Sequence, residues 1–277
     1  MSKSDESSNQ FYDWLEVTQP GNGYFSQLEA AYKANEFLLI IGPTGSGKTH
    51  LVTAFAEKLG KPLFTVNFSL RTRESHLVGS IDIEEGDTSF KEGVLVRSMR
   101  EPGGSILYAD EINCAEPDVL VRIDEALDDR RQISLKEDSG EVIKAEPGWF
   151  VIATINPIQF AGTKEMPAQI NSRFPARMWM DYPDEIVEAQ IVERRTGVKH
   201  ASIEKACLIA KQLRGRAANG ELFYSPSIRE TIAFANILNT GMSPRDSARM
   251  VFKNIYYQWG ASEARKAEEI ITSLLER

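Results

Sequence analysis

A chain of 277 residues has room for one large domain or two modest ones at roughly 100 to 200 residues per domain. Its 42% hydrophobic and 26% charged residues exclude a disordered or fibrous protein, and two cysteines, Cys114 and Cys207, are too few for a disulfide framework or a cysteine zinc site. The net charge of −8 is uneven: residues 183–277 hold 14 Lys and Arg against 12 Asp and Glu, leaving 18 against 28 in residues 1–182, and so acidic a main body argues against nonspecific nucleic-acid binding.

The polar start, MSKSDESSNQ, lacks the basic-then-apolar pattern of a secretion signal. Apolar runs such as FLLII at 37–41 reach five residues, where a bilayer span needs roughly 18. The expectation is a cytoplasmic protein with no membrane span. Short apolar runs at 37–41, 63–67, 105–109, 150–155 and 177–182 read as strands, with helices near 48–59, 93–100, 117–128 and 166–173 between them. That alternation is the signature of a five-stranded parallel sheet covered by helices. Within it, residues 79–92 and 132–145 read as two hairpin insertions, with turns near Gly86 and at Asp138-Ser139-Gly140, turn chemistry in both cases. Surface decoration and a functional role are equally open for them. After Pro183, helical segments near 184–195, 201–214, 226–238, 244–257 and 261–275 follow one another without a strand. Ser225 and Pro226 signal the start of the third. The expected division is an α/β core at 1–183 and an all-helical lid at 184–277.

The strongest chemical signal is GPTGSGKT at 42–49, which fits the G-x-x-x-x-G-K-T phosphate-binding loop and lies between an expected strand and an expected helix. Gly42, Pro43, Thr44, Gly45, Ser46 and Gly47 would curl the backbone so that its amides face phosphate oxygens, with the positive end of the helix behind them. Lys48 would reach the β and γ phosphates of ATP, and the Thr49 hydroxyl would take one Mg²⁺ position. The run SILYADE delivers Asp110 and Glu111 to the carboxyl end of a strand, where ligands bind in open parallel sheets. Asp110 would hold Mg²⁺ through water, and Glu111 would polarise the attacking water. Asn67 ends the second strand, and either caps it or restrains Glu111 in an inactive rotamer.

With these motifs in place the chain resembles the AAA+ ATPases, a P-loop NTPase family. ATINP, with Thr154 to Pro157 following Ala153, is similar to the family's sensor 1, which implies that Asn156 positions water against the γ phosphate. NSRFPARMWMDYP at 171–183 resembles the segment that carries the arginine finger, implying that Arg173, or next Arg177, acts in a neighbouring subunit's site. SPSIRE at 225–230 resembles sensor 2, with Arg229 facing the phosphates in preference to Arg245 of GMSPR. Further stretches, ESHLVGS, EGVLVRSM, DEINCAEPDVLVRIDEALDDRRQ, the NP-x-x-F-AG run and RF followed by DYP, resemble the MoxR-like group, and within it the CbbQ, NorQ and GvpN type.

That resemblance implies a homo-oligomeric ring, six subunits by the family's habit, that hydrolyses ATP to remodel, activate or assemble a protein client. It also implies a von Willebrand factor A-domain partner and pore-facing hairpins, with Phe90 and Ile81 as the apolar candidates for grip. The alternative on the same fold is an ATP-driven nucleic-acid motor or loader, which the acidity disfavours. A guanine-specific N-K-x-D motif is missing, against a GTP-binding switch.

Overall fold

The computed structural model describes residues 23–84, 87–135, 140–157 and 165–275. The polar first ten residues, the expected turns near Gly86 and at 138–139, and most of the NP-x-x-F-AG run lie outside the described residues. The described chain divides into two compact units. One holds the residues up to Gly42 together with Gly47–Met180; the other holds Pro43–Ser46 together with the chain from Asp181 onward.

The first unit begins with a helix that the sequence reading does not contain, α1 (Tyr24–Ala34). Its buried Phe25, Leu28 and Ala31 recur at three-residue spacing, the stripe of a helix with one face inward. Next come β1 (Leu38–Ile41), α2 (Lys48–Leu59), β2 (Leu63–Asn67), the single turn α3 (Glu74–Leu77), β3 (Gly79–Glu84), β4 (Asp87–Glu92) and α4 (Val94–Arg100). They are followed by β5 (Ile106–Asp110), α5 (Pro117–Leu127), β6 (Gln132–Leu135), β7 (Glu141–Lys144), β8 (Phe150–Ile155), α6 (Ala168–Ser172) and β9 (Ala176–Trp179).

Five of these strands form the expected parallel sheet in the order β2-β5-β8-β1-β9. The three inner strands β5, β8 and β1 are almost wholly buried, as strands covered on both faces must be. That order decides where the chemistry goes. Strand β8 pairs with β1 on one side, Ile155 opposite Ile41, and with β5 on the other, Ala153 opposite Ala109. Whatever leaves the carboxyl end of β8 therefore lies between the loop after β1 and the carboxylates after β5.

Both expected hairpins form, β3 with β4 and β6 with β7, each antiparallel. The second is tied to α5: Arg122 donates to the Ser134 carbonyl at 3.0 Å, and the Ser134 amide donates to Glu125 Oε1 at 2.9 Å. Its Ile133, Leu135 and Ile143 are buried.

The second unit is helical: α7 (Glu185–Thr196), α8 (Ser202–Ala218), α9 (Ile228–Leu238), α10 (Pro244–Ala248) and α11 (Ala261–Leu275). The helix expected over 244–257 is broken. After α10 the chain runs through a π turn, Arg249–Lys253, and a 3-10 stretch, Asn254–Trp259. The widened turn still buries Phe252 and Tyr256, while Arg249 and Lys253 both reach Glu268 of α11, at 2.6 and 3.1 Å. Arg249, first through its hydrogen bonds, and Lys253 hold that carboxyl down to about 2, and Arg245 lies 3.6 Å from it.

One buried ion pair organises this unit. Glu188 of α7 is fully buried and accepts from both Arg214 terminal nitrogens, at 2.6 and 2.9 Å, and from Thr231 Oγ1 at 2.8 Å. Arg214 Nε donates to the Pro226 carbonyl at 2.7 Å, and its guanidinium lies 4.1 Å over the Tyr182 ring. With every partner in place, the burial of a charge is compensated. Replacing Arg214 by Met strands the carboxylate, so Arg214→Met should lose about 3 to 5 kcal/mol in chemical denaturation. The double variant Arg214→Met/Glu188→Leu should regain most of it. A loss near zero for the single variant would contradict this account of the unit.

Candidate active site

In the first unit the site grows from the carboxyl ends of β1, β8 and β5. The Gly42 amide donates to the Ile155 carbonyl at 3.2 Å, and a Cβ on Gly42 would stand 2.0 Å from the Met180 carbonyl oxygen, so no larger residue fits where the loop leaves the sheet. Helix α2 starts at Lys48, whose side chain is only 6% exposed. Its ammonium donates to the Gly42 carbonyl at 2.7 Å and to Asn156 Oδ1 at 2.9 Å. The other end of the same amide, Asn156 Nδ2, donates to Glu111 Oε1 at 2.7 Å. An ammonium only donates and a carboxylate only accepts, so these two neighbours fix which way the amide points.

Asp110 ends β5. Its Oδ1 accepts from Tyr108 OH at 2.7 Å and from Thr154 Oγ1 at 2.6 Å, and Thr154 Oγ1 in turn accepts the Glu111 amide at 3.0 Å. Tyr108 OH also lies 3.1 Å from Thr49 Oγ1. Burial first, then the charge on Asp110, pushes the Tyr108 phenol well above its usual range, so it stays protonated at neutral pH. Glu111 has φ 55 and ψ 43, the left-handed region that costs a side-chain-bearing residue roughly 1 to 2 kcal/mol. The strain sits on the residue whose carboxylate faces Asn156, as strain at reactive positions often does.

Lys48, Thr49, Asp110, Glu111 and Asn156 thus come together as expected from their motifs. Asn67 does not join them through its side chain. It lies opposite Asp110 in the sheet register but is exposed, and the partner of Glu111 is Asn156, which corrects the idea of an Asn67 restraint. Sequence reasoning missed Tyr108 and Thr154. Tyr108 could have been found from its spacing, since residues two apart on a strand share a face and Asp110 follows it by two.

In the second unit, the tip of the loop, Pro43–Ser46, groups with the helices. Tyr182 OH donates to the Thr44 carbonyl at 2.8 Å, and burial pushes that phenol up to about 12. Gly45 has φ +72, and a Cβ there would stand 2.6 Å from the Ser227 Cβ. Ser227 caps α9 in a reciprocal box with Glu230. Arg229, in the first turn after that cap, brings its Cγ to 3.9 Å from the same Gly45 position, and its exposed guanidinium has no hydrogen bond or ion pair among the described residues. Arg245, the decoy of similar context, is engaged by Glu268 and Thr272 of α11. The Ser46 hydroxyl is buried and has no hydrogen-bond partner among the described residues. A loop with no room for side chains at Gly42 and Gly45 and with an orphaned buried hydroxyl fits a phosphate chain.

Arg173 ends α6 and, within its own chain, donates through Nε to Asp124 Oδ1 at 2.7 Å. That hydrogen bond raises its already high pKa. Gln169 holds the other Asp124 oxygen, and neither Arg173 terminal nitrogen has a hydrogen bond among the described residues. Arg177 is exposed and donates to the Asn171 carbonyl at 2.9 Å. On the first hairpin Ile81 is 53% exposed, whereas the Phe90 ring lies against Gly79, 2.6 Å from where a Cβ would be. Phe90 packs the hairpin base and is withdrawn as a grip candidate.

Residues 37–174 match the AAA domain of the dynein-related subfamily, and residues 188–255 match the CbbQ/NirQ/NorQ C-terminal domain. CbbQ of Hydrogenophilus thermoluteolus is 32% identical over 224 residues, 81% of this chain and 82% of that protein. NorQ of Paracoccus denitrificans is 33% identical over 215 residues, 78% of each chain. A crystal structure of a candidate ATPase from Cytophaga hutchinsonii superposes with a TM-score of 0.52 at 17% identity, covering 98% of this chain and 97% of the other, a likeness of fold. Among the described residues no helix is long and apolar enough to cross a membrane.

The left-handed backbone at Glu111 gives a clean stability test. Glu111→Ala and Glu111→Gly both remove the carboxylate, but only glycine relieves the backbone, so Glu111→Gly should be the more stable by about 1 kcal/mol in nucleotide-free denaturation. At an ordinary position the order is reversed. Greater stability of the alanine variant would contradict the strain.

Proposed function

The chain belongs to the AAA+ ATPases of the CbbQ/NorQ type, and from that premise we propose that it hydrolyses ATP in a closed homo-oligomeric ring of six subunits to remodel or activate a protein client. The observation that carries the proposal is the line Lys48, Asn156, Glu111, in which one amide joins the phosphate-binding lysine to the carboxylate that would act on water.

Residues 42–49 would cradle the phosphates through backbone amides, with Lys48 leaving Asn156 to meet the β and γ oxygens. Among the described residues no cluster of three or more His, Cys, Asp or Glu could hold a metal alone. The donor set of Thr49 hydroxyl and Asp110 carboxylate suits magnesium arriving with the nucleotide, since this ion takes few protein oxygens and keeps phosphate and water for the rest. When bound, magnesium would neutralise charge developing on the phosphates. Glu111 would orient the water and accept its proton as the oxygen attacks the γ phosphorus. Asn156 would hold that water in line. Arg229, unpaired and beside the loop tip, would read the phosphate state.

Arg173 is assigned to the neighbouring subunit's site. Asp124 and Gln169 fix the shaft of its side chain while leaving the terminal nitrogens open, which supports an arginine presented outward. Head-to-tail use of one surface against another closes into a ring. Ile81, exposed on the first hairpin, is the remaining candidate for contact with the client. A von Willebrand factor A-domain partner belongs to the same reading. No feature of the site favours a nucleic-acid motor.

An arginine supplied in trans contributes on the order of 10³ to 10⁵ in rate, so Arg173→Ala and Lys48→Ala should each be nearly inactive alone. The first keeps an intact nucleotide pocket and the second an intact finger. Mixed subunits should recover ATP turnover in part. If assembly is verified and no mixing ratio recovers any, trans action by Arg173 is rejected.

A further inference from the structure

Packing accounts for the ring of Tyr108 but not for its hydroxyl. The side chain is fully buried in β5, where a phenylalanine would fill the same space. Its hydroxyl lies between the two side chains assigned to magnesium, 3.1 Å from Thr49 Oγ1 and 2.7 Å from Asp110 Oδ1. The polarity of this chain of three groups is determined. Tyr108 donates its one hydroxyl proton to Asp110 Oδ1, so it has none left to offer Thr49. The Tyr108 oxygen then accepts, and the only proton Thr49 Oγ1 carries is the one it offers.

We infer that Tyr108 is a positioning residue for the metal-binding pair: it accepts a hydrogen bond from the Thr49 hydroxyl and donates one to Asp110 Oδ1, so that Thr49 presents lone pairs and Asp110 presents Oδ2. Thr154 completes the arrangement with a second donor to Oδ1 at 2.6 Å, and Asp110 Oδ2 has no hydrogen bond among the described residues. A hydroxyl that binds a cation must direct its proton elsewhere, and a carboxylate loosely held on one oxygen loses orientation. Tyr108 answers both needs with one group. The inference rests on the assignment of Thr49 and Asp110 to magnesium under the proposed function.

The test measures binding of a fluorescent ATP analogue to the full chain with magnesium and with a chelator, alongside nucleotide-free thermal melting. The ratio of the two affinities isolates what the metal adds. In Tyr108→Phe that ratio should fall about 3- to 10-fold, the effect of one lost hydrogen bond, while the affinity in chelator stays at the wild-type value and a cooperative melt shows that the variant is folded. A ratio equal to wild type overturns the proposal, and so does a loss of equal size in chelator, which would mark a merely structural role. Thr49→Ala separates the two levels. If it leaves the ratio intact, the magnesium assignment itself fails; if it lowers the ratio and Tyr108→Phe does not, only the role of Tyr108 fails. Tyr108→Phe keeps the ring that fills this space, and Thr154→Val, which removes the second donor to Asp110 Oδ1, should lower the same ratio.

Discussion

A lysine ammonium at 6% exposure needs acceptors inside the protein, because burial without partners is costly for a charge. Here the compensation comes from the Gly42 carbonyl and the Asn156 amide oxygen. Much of the site follows from that requirement. Gly42 must be glycine for its carbonyl to be where it is, pressed against Met180. Asn156 must stand between β1 and β5, which the sheet order achieves by inserting β8 there. With Oδ1 committed to Lys48, Nδ2 meets Glu111. Under the proposed mechanism, phosphate drawing Lys48 away would release the amide from the first of its two duties, and nucleotide arrival would be felt at Glu111 without any change in the sheet.

The same logic of paired, directional groups recurs elsewhere. Asp110 is held by two hydroxyls on one oxygen, Glu188 by a two-pronged arginine and a threonine, and Asp124 by Arg173 and Gln169. Acidic residues are numerous in residues 1–182, yet those near the site are not a diffuse negative surface. Each is a placed acceptor. This explains how a body with a repulsive overall charge can be suited to a phosphate ligand: positive groups and loop amides are local and close, where their effect is largest.

Much of this was legible in the sequence for reasons that are themselves physical. Strands buried on both faces read as apolar runs, and a phosphate-binding loop needs glycines at fixed spacing, so β1, β5, β8 and residues 42–49 stood out. Helix α1 was missed because its start, Gly23, carries no capping side chain to announce it, although Phe25, Leu28 and Ala31 carried the period. The break after α10 was missed because a π turn keeps the same residue types as a helix and changes only the spacing of its hydrogen bonds. Tyr108 was missed for another reason: in an apolar run a tyrosine reads as one more large ring, and while its spacing puts it on one face with Asp110, its second neighbour, Thr49 at 3.1 Å, comes from a separate element. The two readings of Asn67, as a strand cap or as a restraint on Glu111, followed its place at a strand end, while the contact that Glu111 makes with Asn156 depends on β8 lying next to β5.

The central claim is that Asn156 transmits between Lys48 and Glu111. The most direct measurement is the coupling energy between Lys48→Ala and Glu111→Ala in nucleotide-free denaturation, determined once with Asn156 present and once in an Asn156→Ala background. The account predicts a coupling of at least about 0.5 kcal/mol with asparagine, of the size seen for residues in one hydrogen-bond network, and its disappearance with alanine. Additive effects in both backgrounds, or a coupling that survives the loss of Asn156 undiminished, would contradict it.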